Sequence, residues 1–351
     1  MSRVVLVTGV SRDLGARFAR TLAASPDVVV IGVDVVPPRF DIGEARYVRA
    51  DIRNAAISRV ITAEQVDTVV HLGMIATPNG PGGRSVMKEI NVIGTMQLLA
   101  ACQRAPSVHR LVVQSSAAVY GASPRDPARF TEDMNARVQP RSGFAKDAIE
   151  IESYVRGLAR RRSDLVVSTL RLASRLGAGV DSWLTRYLTL PVVPRPMGYD
   201  ARLQFLHPTD AVRALLAATE RDLPGTFNVA ADDVVTLGLV LAAVGNPAMP
   251  LPAGWAPSLS GIARQARAVD LTADQIAALT YGRVMDTSRF RAVGFEPEIS
   301  SRAALDEFAA AARPGPLHRT RVSTVLDRAA ALAGRTVDRV AALAGERGSR
   351  G

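Results

Sequence analysis

The first half of the chain alternates short Val- and Ile-rich runs with longer stretches whose apolar residues recur every three or four positions. Runs of the first kind read as strands buried on both faces, and stretches of the second as amphipathic helices. The pattern predicts strands at residues 4–8, 28–33, 46–48, 67–71, 110–114 and 165–170, and helices starting near Asp13, Asn54, Arg84 and Ser142. The third helix, reaching about Cys102, is long enough to cross a sheet face. Strand and helix in regular alternation specify an α/β fold, a parallel sheet covered on both faces and built from right-handed crossovers.

After Arg171 the alternation stops, and prolines at 191, 194 and 196 break up a segment of loops with one short helix. "QFLHPTDAVRALLAATE" then reads as a strand end running into a helix, and "GTFNVA", near 225–230, as a strand returning to the first sheet. Residues 235–313 are helical in pattern with Pro and Gly interruptions, and "RPGP" at 313–316 sets off a separate tail. In the tail, Val322, Val325, Leu326, Leu332, Val337, Val340 and Leu343 share one helical face, with arginines opposite. This basic amphipathic helix, 314–351, suits docking on its own domain or a dimer mate. A peripheral membrane or protein contact through 321–345 is the other reading, with Asp327 and Asp338 counting against an anionic surface.

Composition narrows the classes. With 351 residues, 48% of them hydrophobic, the chain can bury a substantial core without staples. Cys102 is the single cysteine, which excludes a disulfide framework and suits the reducing cytoplasm. The opening "RVVLVTG" is strand-like, with no export signal, and the most apolar run, 28–36, is too short to span a bilayer. The net charge of +10 comes from dispersed arginines, since Lys88 and Lys146 are the only lysines. No helix-turn-helix, zinc-finger or aromatic-stacking pattern accompanies that charge, so no nucleic-acid partner and no metal are expected.

"VLVTGVSRDLGARFA" places a glycine turn between the first strand and the first helix, where backbone amides can hold a pyrophosphate. Asp34 ends the second strand, placed to accept adenosine ribose hydroxyls and to repel a 2′-phosphate. NAD is therefore expected over NADP, with the nearby Arg39 weighing the other way. Strand, turn, helix and acid in this order specify a Rossmann-type doubly wound sheet over 1–172, with a smaller, mainly substrate-binding subdomain over 173–313.

These residues resemble the extended short-chain dehydrogenases, the NAD-dependent epimerase/dehydratase family that includes UDP-glucose 4-epimerase. The family's T-G-x-x-G-x-x-G is matched by Thr8, Gly9 and Gly15, but Arg12 stands at the middle glycine, as a compensating phosphate contact or an obstruction. "ADIRN" resembles the step that contacts adenine, which implies that role for Asp51 and Ile52. "VVHLGM" resembles the H-L-A-A turn, which sets Leu72 and Gly73 against the cofactor. "NVIGTMQLLAAC" sets Asn91 near the nicotinamide. "SSAAVYG" makes Ser116 the counterpart of the catalytic Ser/Thr.

In "QPRSGFAKDAIE" the resemblance puts Lys146 at the lysine of Tyr-x-x-x-Lys, toward the nicotinamide ribose, and Ser142 where the tyrosine belongs. A serine hydroxyl is a far poorer acid than a phenol, so the proton must be handled elsewhere. Tyr120 in the adjacent loop, and Tyr187 and Tyr199 on the substrate side, are alternatives, while His71 and His207 are candidates for titration near neutrality. The substrate motifs also depart: Ser174 replaces an asparagine, and Leu203 the phosphate-binding arginine beside Arg202. The resemblance implies an oxidoreductase acting on a nucleotide sugar such as a UDP-sugar, or a related hydroxyl substrate, and a homodimer through the helices near Arg84 and Ser142. A catalytically degenerate NAD-binding regulator or scaffold is the alternative.

Overall fold

The computed structural model describes residues 2–76, 83–141, 143–252 and 271–312. Ser142 and the 314–351 tail lie outside the described residues. In chain order the first half comprises β1 (Arg3–Thr8), α1 (Asp13–Ala23), β2 (Val28–Asp34), β3 (Arg46–Arg49), α2 (Ala56–Ala63) and β4 (Thr68–His71). It continues with α3 (Gly83–Lys88), a π-helical segment (Glu89–Gly94), α4 (Thr95–Arg104), β5 (Arg110–Ser116), α5 (Gly143–Arg161) and β6 (Val166–Leu172). The expected third helix is thus interrupted by π-helical turns around Asn91, a change of winding common at functional sites and invisible to a 3.6-residue period.

The second half supplies β7 (Ser174–Arg175), α6 (Trp183–Leu188), β8 (Val193–Pro196), β9 (Arg202–Leu203), β10 (Phe205–Leu206), α7 (Pro208–Glu220) and β11 (Gly225–Val229). Then follow β12 (Val235–Thr236), α8 (Leu237–Val244), β13 (Ala248–Leu251), α9 (Ala273–Tyr281), α10 (Ser288–Ala292) and α11 (Ser301–Ala312). Pro208 at the start of α7 lacks an amide hydrogen the helix would leave unpaired, and His207 Nδ1 accepts from Thr209 N at 3.2 Å.

Among the described residues seven strands form one parallel sheet in the order β3-β2-β1-β4-β5-β6-β11. β11 pairs with β6 from Gly225 opposite Ser168 to Val229 opposite Leu172, the return to the first sheet that "GTFNVA" suggests. α1 packs on α7, while α2, α4 and α5 form a row on the opposite face. The buried faces of β1, β2, β4 and β5, with Phe18, Leu98 and Ile151 from the helices, make the main core. A second cluster joins α6, α8, α9 and α11 through Leu184, Leu237, Ile276 and Leu305.

Three two-stranded pairs, β7 with β10, β9 with β12 and β8 with β13, brace this second cluster. Their two to four residues carry no readable period, which is why the segment reads as loops in the sequence. Among the described residues no helix is long and apolar enough to cross a membrane.

Candidate active site

Strand order reverses between β1 and β4, and a doubly wound sheet binds its ligand at such a switch, beyond the carboxyl ends of the strands. The two strand ends are tied together there. Leu72 N donates to Thr8 O at 3.3 Å and to Thr8 Oγ1 at 3.2 Å. Gly9, at φ +81°, has no room for a side chain, since a Cβ would stand 2.7 Å from Leu72 O. At Gly15 a Cβ would come within 2.2 Å of Gly9 O, so the first turn of α1 lies directly against the glycine turn. Gly15→Ala is expected to destabilise the protein by about 1–3 kcal/mol, because a backbone carbonyl cannot step aside as a side chain can. A thermal melt checks it, and an unchanged midpoint would contradict this packing.

Arg12 turns out of the cradle. Its Nη1 donates to Met74 O at 3.0 Å, across the β1–β4 switch, which makes it a strap between the two loops. Burial lowers its pKa, and the nearby Asp34 works in the opposite sense. Asp34 itself is aimed: Oδ2 accepts from Ser11 N at 3.2 Å and Ser11 Oγ at 2.5 Å, and Oδ1 from Val35 N at 2.8 Å. Asp51 folds back onto Arg53, whose guanidinium and amide hold its pKa below the usual carboxylate value. Ile52 packs on Gly94, where a Cβ would come within 2.9 Å of its side chain.

His71 is structural. Its Nδ1 meets Thr8 Oγ1 at 2.7 Å and its Nε2 meets Thr95 Oγ1 at 2.9 Å, and burial pushes its pKa down to about 4. The expectation that it could titrate near neutrality is corrected by that burial. Asn91 clamps the loop after β4, accepting from Ile75 N at 2.7 Å and donating to Ile75 O at 2.9 Å. It also donates to Asp147 Oδ2 at 3.2 Å. Asp147, fully buried, pairs with Arg84, whose Nη1 lies 2.6 Å from Oδ2.

Next to this network a cleft of about 1070 Å³ opens between the carboxyl ends of β5 and β6 and the second cluster. Ser116 stands on its wall. Its Oγ accepts from Ala118 N at 3.2 Å, leaving the hydroxyl proton free to donate. Gln114, Phe144, Ser174, Trp183, Asp274 and Arg283 line it as well. Lys146 is exposed on α5 and is not among the residues that line the cleft with Ser116.

Tyrosine chemistry is absent from this wall among the described residues. Tyr120 is buried away from the cleft, donating to Asn228 Oδ1 at 2.7 Å and accepting from Arg171 Nη1 at 2.8 Å. Tyr187 donates to Pro194 O at 2.7 Å, and Tyr199 packs edge-on against Tyr281 on the surface. Of the other candidates, His207 Nε2 is engaged by Glu307 Oε2 at 2.9 Å.

Among the described residues, Asp274 is the carboxylate that faces the cleft, and sequence reasoning missed it. A Thr272–Gln275 capping box fixes the first turn of α9. That turn brings Asp274 Oδ2 to 3.4 Å from where a Gly143 Cβ would stand, at the start of α5. Burial raises its pKa, with Arg283 pulling the other way. Arg283 is itself lowered to about 10 by burial and donates to Gly121 O at 2.7 Å. The T-x-x-Q signature was readable in "LTADQ"; what it faces was not.

The cradle tests well against a dinucleotide: no side chain could replace Gly9 or Gly15, α1 has no side-chain cap, and the Asp34 carboxylate is held beside the turn. Comparison with known proteins points the same way. A protein of Mycobacterium tuberculosis (strain ATCC 25618 / H37Rv), described as uncharacterized, is 45% identical over 312 residues, 87% of this chain and 83% of its own. The UDP-glucose 4-epimerase of Thermus thermophilus, solved with NAD, superposes with a TM-score of 0.68 at 20% identity, covering 89% of this chain and 99% of that one. The Thermotoga maritima UDP-glucose 4-epimerase, solved with UDP-glucose, gives 0.67 at 18%, covering 88% and 98%. Residues 5–230 match the family model itself, and the chain belongs to the NAD dependent epimerase/dehydratase family.

Proposed function

We propose that this protein is an NAD-dependent oxidoreductase of the epimerase/dehydratase type, acting on a nucleotide sugar or related hydroxyl substrate without a tyrosine at position 142. The observation that carries the reading is the cleft, which has a free hydroxyl donor in Ser116 and, in Asp274, a carboxylate whose pKa is raised by burial. Held over the Gly9 and Gly15 turn, NAD would supply a reversible hydride acceptor for the alcohol carbon. Ser116 holds the substrate oxygen by donating its hydroxyl proton. Asp274 takes the proton leaving that oxygen, the work a tyrosine would otherwise do.

On the cofactor side, Gly9 and Gly15 shape the phosphate cradle, Asp34 accepts the ribose hydroxyls, and Asp51 and Ile52 border the adenine. Leu72, Gly73 and Asn91 border the nicotinamide side, and Lys146, exposed on α5, would have to turn inward to meet its ribose. The Asp34 carboxylate, held by Ser11, favours NAD over NADP by repelling a 2′-phosphate. The reading places the protein in the cytoplasm, where the buried Cys102 thiol stays reduced.

Calorimetric titration with NAD and NADP, followed by a coupled assay with UDP-glucose and UDP-galactose, tests the reading. The expected result is preferential NAD binding and turnover. One specific feature favours a second reading, a degenerate NAD-binding regulator: among the described residues no tyrosine lines the cleft. Binding without turnover of any hydroxyl substrate would select that reading, and no dinucleotide binding would refute both.

A homodimer through α4 and α5 belongs to the same proposal. Ile93 and Met96 stand exposed beside each other on the helix preceding β5, an apolar patch suited to a second copy. Sedimentation is expected to show a dimer that Ile93→Glu converts to monomer; a monomeric parent protein would remove this part.

A further inference from the structure

The first turn of α1 draws two guanidinium groups onto one carboxylate. Arg17 Nε donates to Asp13 Oδ1 at 2.6 Å, and Arg175 Nη1, reaching over from β7, lies 3.7 Å from Asp13 Oδ2. Arg12 caps the same helix without a side-chain bond to it. Two guanidinium groups therefore share one carboxylate at the positive end of a helix dipole, with the Arg12 charge near enough to add to the repulsion on Arg175, an arrangement an anion would relieve. Arg175 shows the strain most clearly. Its Nη1 is buried and finds no hydrogen-bond acceptor among the described residues. Burial lowers its pKa; Asp13 offsets this in part, while Arg17 and Arg12 add to the lowering.

Buried donors are normally satisfied, so an unpaired guanidinium nitrogen marks a missing acceptor. The acceptor must fit the space beside the glycine turn, where the uncapped amides of α1 also need one. A pyrophosphate meets both needs, because a guanidinium binds phosphate oxygens in a fork while the amides take the others.

We propose that Arg175 clamps the dinucleotide pyrophosphate at the amino end of α1 and supplies by side-chain charge what a glycine at position 12 would supply by close backbone approach, Arg12 itself being held away on Met74 O. This rests on the reading that the protein binds NAD. Arg175 also lines the substrate cleft, next to Ser174, so the clamp sits between the two ligand sites. It makes Arg175 a positioning residue for the cofactor.

The test is calorimetry with NAD and ADP-ribose on the full-length protein and on Arg175→Ala and Arg175→Lys, with melting curves of each ligand-free protein. Losing charged hydrogen bonds to the phosphates is expected to weaken both ligands by about 10- to 100-fold in the alanine variant. The lysine variant should recover part of that loss. The ligand-free alanine variant should melt at or above the parent temperature, since it has shed a buried cation without a full partner. Parent-like NAD affinity in Arg175→Ala overturns the clamp while leaving the cofactor reading intact. Weak binding with a melting point several degrees below the parent also overturns it, because Arg175 would then be a structural strut. A parent protein that binds neither ligand removes the cofactor reading and the clamp together.

Discussion

Asp274→Asn is expected to leave a folded protein that binds NAD normally but turns over about 10²- to 10⁴-fold more slowly, the usual contribution of a positioned acid or base. The reason is elimination within the cleft. Five of the six tyrosines make hydrogen bonds elsewhere or stack on the surface, and Tyr154 donates to Glu150 Oε1 at 3.0 Å on the outer part of α5. Cys102 is sealed in the core, where burial pushes its thiol up to about 12. His71 is buried and neutral, and Arg283, lowered to about 10, keeps its proton near neutral pH. Asp274 remains. Its carboxylate accepts a proton only when ionised, and burial raises its pKa above the ordinary carboxylate value. Oxidation of the alcohol should therefore be fast above that raised value and fall away as pH drops through it. A pH–rate profile of kcat/KM checks both points. In Asp274→Asn the acid limb should disappear along with most of the rate, and an intact limb at full rate would show that another group takes the proton.

How much of this was legible in the sequence follows from the physics of each signal. The sheet was readable because buried parallel strands must be apolar throughout, and β1, β2, β4, β5 and β6 all begin or end within two residues of their expected places. The cofactor cradle was readable for a related reason: strand, glycine turn, helix and Asp34 lie close together in the chain, so local order reports spatial order. Arg12 was not decidable, since a side chain with that reach has several acceptors, and only its bond to Met74 O distinguishes a strap from an obstruction.

The catalytic side was far less legible. Asp274 meets Gly143 across more than a hundred residues of chain, and no local pattern records such a meeting. Arg175 lies in a two-residue strand whose pairing with β10 carries no period. Asp147 follows Lys146 directly, yet the helix turns one into the core and the other into solvent, a difference of about 100° that spacing alone predicts only once the helix phase is known. The family resemblance orders these residues along the chain and does not place them in space.

Removing Glu152 should have the largest effect on stability. Arg171, next to the carboxyl end of β6, is buried, and its Nε and Nη2 meet Glu152 Oε1 and Oε2 at 2.9 and 2.7 Å. Its Nη1 donates to Tyr120 Oη at 2.8 Å and to Glu132 O at 2.9 Å, and its guanidinium lies over the Tyr120 ring at 4.9 Å. Ser115 Oγ adds a 2.6 Å bond to Glu152 Oε1, so one carboxylate ties β5, β6 and α5 together beneath the cleft. Burial opposes the charge on Arg171, but the bonds and charge of Glu152 outweigh it and hold the guanidinium protonated. Glu152→Ala leaves that cation without its counter-charge, at an expected cost of about 3–5 kcal/mol in chemical denaturation. Glu152→Gln keeps the shape and one acceptor and should cost less. Pairing Glu152→Leu with Arg171→Met removes both charges together and should recover most of the loss, because the desolvation penalty vanishes with the pair. If Glu152→Ala unfolds at the parent midpoint, the network is not what binds the floor of the cleft. If it unfolds early and the double variant does not recover, packing and not charge is what Glu152 contributes.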